Sequence, residues 1–93
     1  SMRLVALKAL VAAVEEGSLR GAARRLGVSQ PALTKAIREL ERELAAPLVL
    51  RSSTGVVATA QGKVLFERAR AADRELTQAA DEIKARYTAI FKV

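Results

Sequence analysis

Pro31, Lys35, Arg38 and Arg42 recur at spacings of three and four, and at about 100° per residue they share one line of a helix. Leu33, Ile37, Leu40 and Leu44 fall on the opposite line. No acid interrupts the basic line. Glu39, Glu41 and Glu43 lie on its flanks, placed to pair with neighbouring bases, while Gln30 and Thr34 stand at the N-terminal edge of the outer face. Amide and hydroxyl groups both donate and accept hydrogen bonds, and cationic groups suit a guanine edge or a phosphate. Taken alone, the stripe is either a solvated charged face or a surface for a polyanion. Its surroundings favour the second.

Ser18 is placed to cap a short helix with Leu19, Ala22, Ala23 and Leu26 facing inward, and Gly27 closes it. After Val28, Ser29 is a second N-cap, and Pro31 is tolerated in the first turn because the amide it lacks has no intrahelical partner there. The helix that follows is expected from about Gln30 to Ala45. Small Ala23 lets two helices cross closely, Gly27 permits the sharp turn, and Leu33 anchors the second helix. This is helix-turn-helix spacing. In that geometry the second helix enters the major groove, so Gln30, Thr34, Lys35 and Arg38 are candidate base readers and Arg42, further along, a phosphate contact.

Three further elements position this pair. Leu4, Leu7, Leu10, Val11 and Val14 recur at helical spacing up to Glu15-Glu16-Gly17, which predicts a first helix with those residues as its apolar face. Leu48-Val49-Leu50 and Val56-Val57-Ala58 flank Arg51-Ser52-Ser53-Thr54-Gly55, which predicts a two-stranded wing around a polar loop. Thr59 then caps a last helix from Ala60 to about Phe91, whose Leu65, Ala69, Ala72, Leu76, Ala79, Ile83, Tyr87 and Ile90 form one apolar stripe. Some 30 residues extend about 45 Å, beyond the small core, so part of the stripe needs a second chain. Ser18 and Thr59 each have two readings, helix cap or phosphate contact at a helix N-terminus, with capping favoured. Arg20, Arg24 and Arg25 either touch DNA backbone or are solvated; Arg68, Arg70 and Arg74 are expected on a solvated face.

Composition bounds the function. Ninety-three residues hold one domain plus a protruding element. An apolar fraction of 51% is enough for a core, and a charge of +6 points to an acidic partner, nucleic acid or an anionic membrane surface. With no Cys and no His there is no disulfide, no thiolate or imidazole metal site and no Cys/His or Ser/His catalytic pair. An enzyme would have to rely on Asp, Glu and Lys, and no carboxylate pair or Gly-rich phosphate loop stands out. No apolar run approaches the roughly 18–20 residues that cross a bilayer, and no signal peptide is apparent, so a cytoplasmic location is expected. Ser1 ahead of Met2 has the form of a remnant of tag removal.

The stretch EEGSLRGAARRLGVSQPALTKAIRELERELAAPLVLRSSTGVVATAQG resembles the winged helix-turn-helix of LysR-type bacterial transcriptional regulators. The likeness covers about two-thirds of the chain, from the first helix through Gly62, and VSQPALTKAIRELE is its most specific block. The remaining third resembles the family's linker helix, through which two subunits pair. The resemblance implies that Ser29, Gln30, Pro31, Thr34, Lys35 and Arg38 face DNA, that Arg51 lies against the backbone or minor groove, and that Ser53 and Thr54 at the wing tip approach phosphate. It further implies a longer intact regulator, often tetrameric, with a C-terminal effector-binding domain absent here, and no cofactor in this chain. Four positions depart from the family pattern. Leu19 and Val49 stand where aromatics are usual, Ala45-Ala46 where a turn contains Gly, and Gln61 where Ala is common. Losing the two aromatics is expected to shrink the core.

The expected architecture is mainly α: a winged helix-turn-helix over residues 1–59 and a linker or dimerisation helix over 60–93. The expected function is sequence-specific binding of a pseudo-palindromic double-stranded DNA site by a homodimeric transcriptional regulator. One rival is a structural interaction module with incidental, non-specific DNA binding. A single-strand or RNA binder is disfavoured, because one Tyr, two Phe and no Trp give almost no stacking platform.

Overall fold

The computed structural model describes residues 1–91; the last two positions of the 60–93 segment lie outside it. Its order is α1 (Leu4–Glu16), α2 (Leu19–Leu26), α3 (Gln30–Leu44), β1 (Val49–Ser52), β2 (Gly55–Ala58) and α4 (Ala60–Phe91). This is the expected mainly helical winged architecture with a long C-terminal helix.

The core forms where α1, α2 and α3 cross. Ala9, Ala12, Ala13, Leu19, Ala22, Ala23, Leu33, Ile37 and Val56 make one buried cluster, and Ala6, Leu10, Leu40 and Leu48 a second beside it. Half of these residues are alanine or nearly so in bulk, which lets three short helices approach without large side chains to separate them. Leu10, Leu33, Leu40 and Leu48 supply the fully buried bulk, each contributing about 1.5–3 kcal/mol on burial. Leu19 and Val49 find places without the aromatic groups: Leu19 is buried, and the half-buried Val49 packs against both clusters.

Two expectations about the apolar faces are corrected. On α1 the buried residues are Ala6, Ala9, Leu10, Ala12 and Ala13, whereas Leu4 is exposed and Leu7, Val11 and Val14 are half-buried. Size misled here, because close helix crossings select small side chains for the inner face. On α3, Leu33, Ile37 and Leu40 are buried as expected, but Leu44 is exposed, one turn beyond the edge of the core where the helix ends. The chain leaves α3 through Ala45, a non-glycine residue in the left-handed region at φ 53°, ψ 41°.

The wing also differs in its boundaries. β1 and β2 pair antiparallel with Val49 opposite Ala58, Leu50 opposite Val57, Arg51 opposite Val56 and Ser52 opposite Gly55, so the expected five-residue loop reduces to Ser53-Thr54. Leu48 lies outside the strand pair: its amide donates to the Glu41 carboxylate, and its side chain is taken wholly into the core. Its carbonyl accepts the Thr59 amide at 3.0 Å, and the Val56 amide donates to the Gly17 carbonyl at 2.9 Å. The base of the wing is therefore tied to both sides of the helical body. Gly55 passes so close to Gly17 that a Cβ there would collide with its carbonyl.

At 32 residues α4 spans about 48 Å. Gly62 is buried under the Leu48 carbonyl, and Leu65 packs against the second core cluster. Every described residue after Ala71 is exposed. Within the stripe named from the sequence, Leu65 and Ala69 are half-buried against this chain, while Ala72, Leu76, Ala79, Ile83, Tyr87 and Ile90 are exposed. Near its end the Tyr87 and Phe91 rings stack at 4.4 Å between centroids. No described helix is long and apolar enough to cross a membrane.

Candidate nucleic-acid interface

Local capping chemistry places the recognition helix. Ser18 Oγ accepts the Gly21 amide at 2.9 Å to start α2. Gly27, at φ 68°, ends it, and the Val28 amide reaches back to the Ala23 carbonyl at 3.0 Å, the six-to-one bond of a glycine-terminated helix. Ser29 Oγ then accepts the Ala32 amide at 3.2 Å and starts α3, with Pro31 in its first turn. Ser18 is therefore a cap, as favoured. Ser29 is exposed and keeps its hydroxyl proton free for a further acceptor.

Gln30, Pro31, Thr34, Lys35, Arg38 and Arg42 line one shallow concavity along the outer face of α3. All are exposed except Thr34, which is half-buried. Among the described residues none of Lys35, Arg38, Arg42 and Arg51 enters an ion pair. Two of the three flanking acids are engaged elsewhere. Glu39 pairs with Arg3 at 3.4 Å. Glu41 makes no ion pair, contrary to expectation: its Oε2 accepts the Leu48 and Val49 amides at 2.8 and 3.4 Å. A row of uncompensated positive charge is left on one side of α3, which is the electrostatic requirement for contact with phosphates.

The wing brings a second positive group to that row. Arg51 shares a crease with Thr34, Ile37, Arg38 and Glu41, so the wing arginine and the recognition helix open onto one surface. At the tip, Ser52 Oγ meets Thr54 Oγ1 at 3.0 Å and accepts the Thr54 amide at 3.3 Å, while Ser53 is exposed. Ser52 was not singled out from the sequence, yet it orders the turn that presents Ser53 and Thr54; a Ser two residues before a Thr in a tight turn is the signal that marks it.

Other candidates sort differently. Thr59 Oγ1 accepts the Gly62 amide at 2.9 Å and donates to the Pro47 carbonyl at 2.6 Å, so it caps α4 and its proton is committed. Arg25 turns away from the outer face of α3 to Glu15 at 2.7 Å and Glu16 at 3.3 Å. Its hydrogen bond to the Glu15 carboxylate, then that to Glu16, raises its pKa above the ordinary arginine value. Arg20 and Arg24 are exposed and take part in no ion pair among the described residues. Arg70, expected on a solvated face, instead meets Glu15 at 3.4 Å and lies over the Phe66 ring at 5.7 Å from its centroid. No group of three or more His, Cys, Asp or Glu suited to a metal occurs among the described residues.

A glycine-closed short helix, a capped second helix with a free basic row, and a wing whose arginine opens beside that row define a winged helix-turn-helix DNA-binding module. Residues 4–63 match the family model described as bacterial regulatory helix-turn-helix protein, lysR family. This chain belongs to the LysR family. The Small neutral protease regulatory protein of Streptomyces coelicolor is 40% identical over 84 residues, 90% of this chain and 27% of that protein. The HTH-type transcriptional regulator TfdT of Cupriavidus pinatubonensis is 45% identical over 69 residues, 74% of this chain and 30% of that protein. The chain thus spans less than a third of the length of these regulators. Among solved structures, the complex of the BenM DBD with catB site 1 DNA superposes with a TM-score of 0.86 at 33% identity, covering 94% of this chain and 98% of that one. The CbnR DBD–DNA complex gives 0.82 at 35% identity over 92% of this chain and 99% of that one.

Proposed function

We infer that this chain binds a pseudo-palindromic duplex DNA site as a homodimer and serves a transcriptional regulator that works in the bacterial cytoplasm. The observation that carries the reading is the row of Lys35, Arg38 and Arg42, unpaired by any carboxylate among the described residues and continued by Arg51 of the wing. Gln30, Thr34, Lys35 and Arg38 read base edges in the major groove, with Ser29 and Pro31 at the helix start close to the backbone. Arg51 meets the backbone or minor groove, and Ser53 and Thr54 approach phosphate. Phosphate contacts supply most of the affinity and its salt dependence.

Dimerisation uses the apolar stripe of α4, in which Leu76, Ile83, Tyr87 and Ile90 are each more than half exposed. Such a row is costly to leave in water and suits a second copy of the same helix. A twofold axis then sets two recognition helices in successive major grooves, about one helical turn or a multiple of it apart. The similarity to DNA complexes of BenM and CbnR supports this reading. In the intact regulator, effector binding and assembly to a tetramer belong to a further C-terminal domain, and this chain itself needs no cofactor. Selection from random-sequence duplexes tests the reading: a dyad-symmetric motif is expected. Absence of any enriched motif would leave an interaction module with a merely basic surface.

A further inference from the structure

One carboxylate joins three helices. Glu15, near the end of α1, holds Arg25 of α2 through one oxygen at 2.7 Å and Arg70 of α4 through the other at 3.4 Å. Arg25 is braced in turn by Glu16, and Arg70 by the face of Phe66 one turn earlier on α4. Among the described residues, Glu15–Arg70 is the only ion pair between α4 and the body of the fold.

Its position matters more than its strength. The side chains of Arg25, Glu15 and Arg70 keep 44, 27 and 50% of their surface exposed, so water and salt screen the pairs and their stabilising effect on the fold is small. They stand, however, where packing stops. Leu65 is held by the core, but every described residue of α4 beyond Ala71 is exposed, and the groove that Leu4, Leu7 and Val11 of α1 share with Ala72 and Leu76 stays open. The Glu15 cluster is therefore the last tether before the free part of the helix.

We propose that the Glu15–Arg25–Arg70 cluster is a positioning device that fixes the angle between α4 and the recognition helix, and thereby sets the spacing between half-sites that the dimer accepts. The inference rests on the dimeric reading given above. If two α4 helices pair about the middle of their exposed segments, the dyad lies eleven to twelve residues, about 17 Å, beyond Arg70. A change of about 6° at the tether then moves the dyad by about 1.8 Å and the second body by about 3.6 Å, close to the roughly 3.4 Å rise of one base pair. Small angular freedom at Glu15 is thus equivalent to one base pair of spacing.

The test uses Glu15→Gln and Arg70→Gln, which change net charge in opposite directions. Each is titrated, beside the unsubstituted chain, with a selected dyad site, with the same site lengthened or shortened by one base pair, and with a single half-site. The unsubstituted chain is expected to favour one spacing sharply, and both variants to lower that preference about three- to tenfold. Half-site affinity should rise slightly for Glu15→Gln and fall slightly for Arg70→Gln, following charge, so the shared loss of spacing preference cannot come from phosphate attraction. A sharp preference retained in both variants overturns the inference, as does a uniform loss on every duplex including the half-site, which would make the cluster a tie of the fold alone. If the unsubstituted chain holds every two-site duplex more tightly than the half-site but prefers no spacing, the inference alone fails; if it holds none of them more tightly than the half-site, the dimeric reading fails and the inference with it.

Discussion

The Glu41 carboxylate, on the recognition helix, accepts the Leu48 amide at 2.8 Å and so fastens the entry of the wing to the helix that carries the basic row. The same oxygen receives the Val49 amide at 3.4 Å. Two backbone donors at the start of the wing thus depend on one side chain, and the place of Arg51 beside Arg38 depends on both.

Glu41→Ala should leave those amides without their partner and destabilise the fold by about 1–3 kcal/mol, measured as a fall in the urea midpoint. At temperatures where the variant remains folded, its preference for a selected DNA site over a scrambled one should also drop, because the wing loses its anchor. An unchanged midpoint would show that solvent replaces the carboxylate at no cost.

Ala45 occupies a left-handed conformation at φ 53° that costs a non-glycine residue about 1–2 kcal/mol. Ala45→Gly removes that strain but gives the unfolded chain more freedom, worth about 0.4–1 kcal/mol in the other direction. The net expectation is a gain of about 0.5–1 kcal/mol in chemical denaturation, with DNA binding unchanged. The family turn usually contains Gly here, and this departure is where the chain carries avoidable strain.

Gly62→Ala should do the opposite, although alanine is the better helix former by about 1 kcal/mol. A Cβ at Gly62 meets the carbonyl of Leu48, a backbone atom that cannot swing aside as a side chain would. Destabilisation of about 1–3 kcal/mol is expected from thermal or urea unfolding. Stabilisation would mean that α4 shifts freely on the core.

Much of this arrangement was legible before the structure. The bounds of α2 and α3 follow from Ser18, Gly27, Ser29 and Pro31, because capping and turn chemistry act within four residues and leave a local trace. The basic row on α3 was legible for the same reason: a 3.6-residue period sorts charge by face without tertiary information. The inner face of α1 was not, since Ala9, Ala12 and Ala13 are buried by helix crossings that only the assembled fold defines. Leu48 belongs to a β-favouring run but stands before the strand, because its amide is taken by Glu41. Glu41 and Arg70 were read as flank and solvated face, because a side chain's partner 7 or 55 positions away in the chain has no periodic signature.

Ile83→Asp places a charge in the exposed apolar stripe of α4, where Ile83 is 68% exposed and touches no core cluster. Each folded subunit should keep its stability within about 0.5 kcal/mol, as expected for a surface substitution. Sedimentation should nevertheless show weaker association than the unsubstituted chain. A dimer of undiminished strength would place the pairing surface elsewhere.

The most direct test of the DNA-reading row is Arg38→Ala measured on the selected site and on a scrambled duplex at physiological salt. The unsubstituted chain should hold the selected site at least about a thousandfold more tightly than the scrambled one. Arg38→Ala should cost about 1–3 kcal/mol on the selected site and much less on the scrambled one. Equal affinity of the unsubstituted chain for both duplexes would contradict sequence-specific recognition by this face.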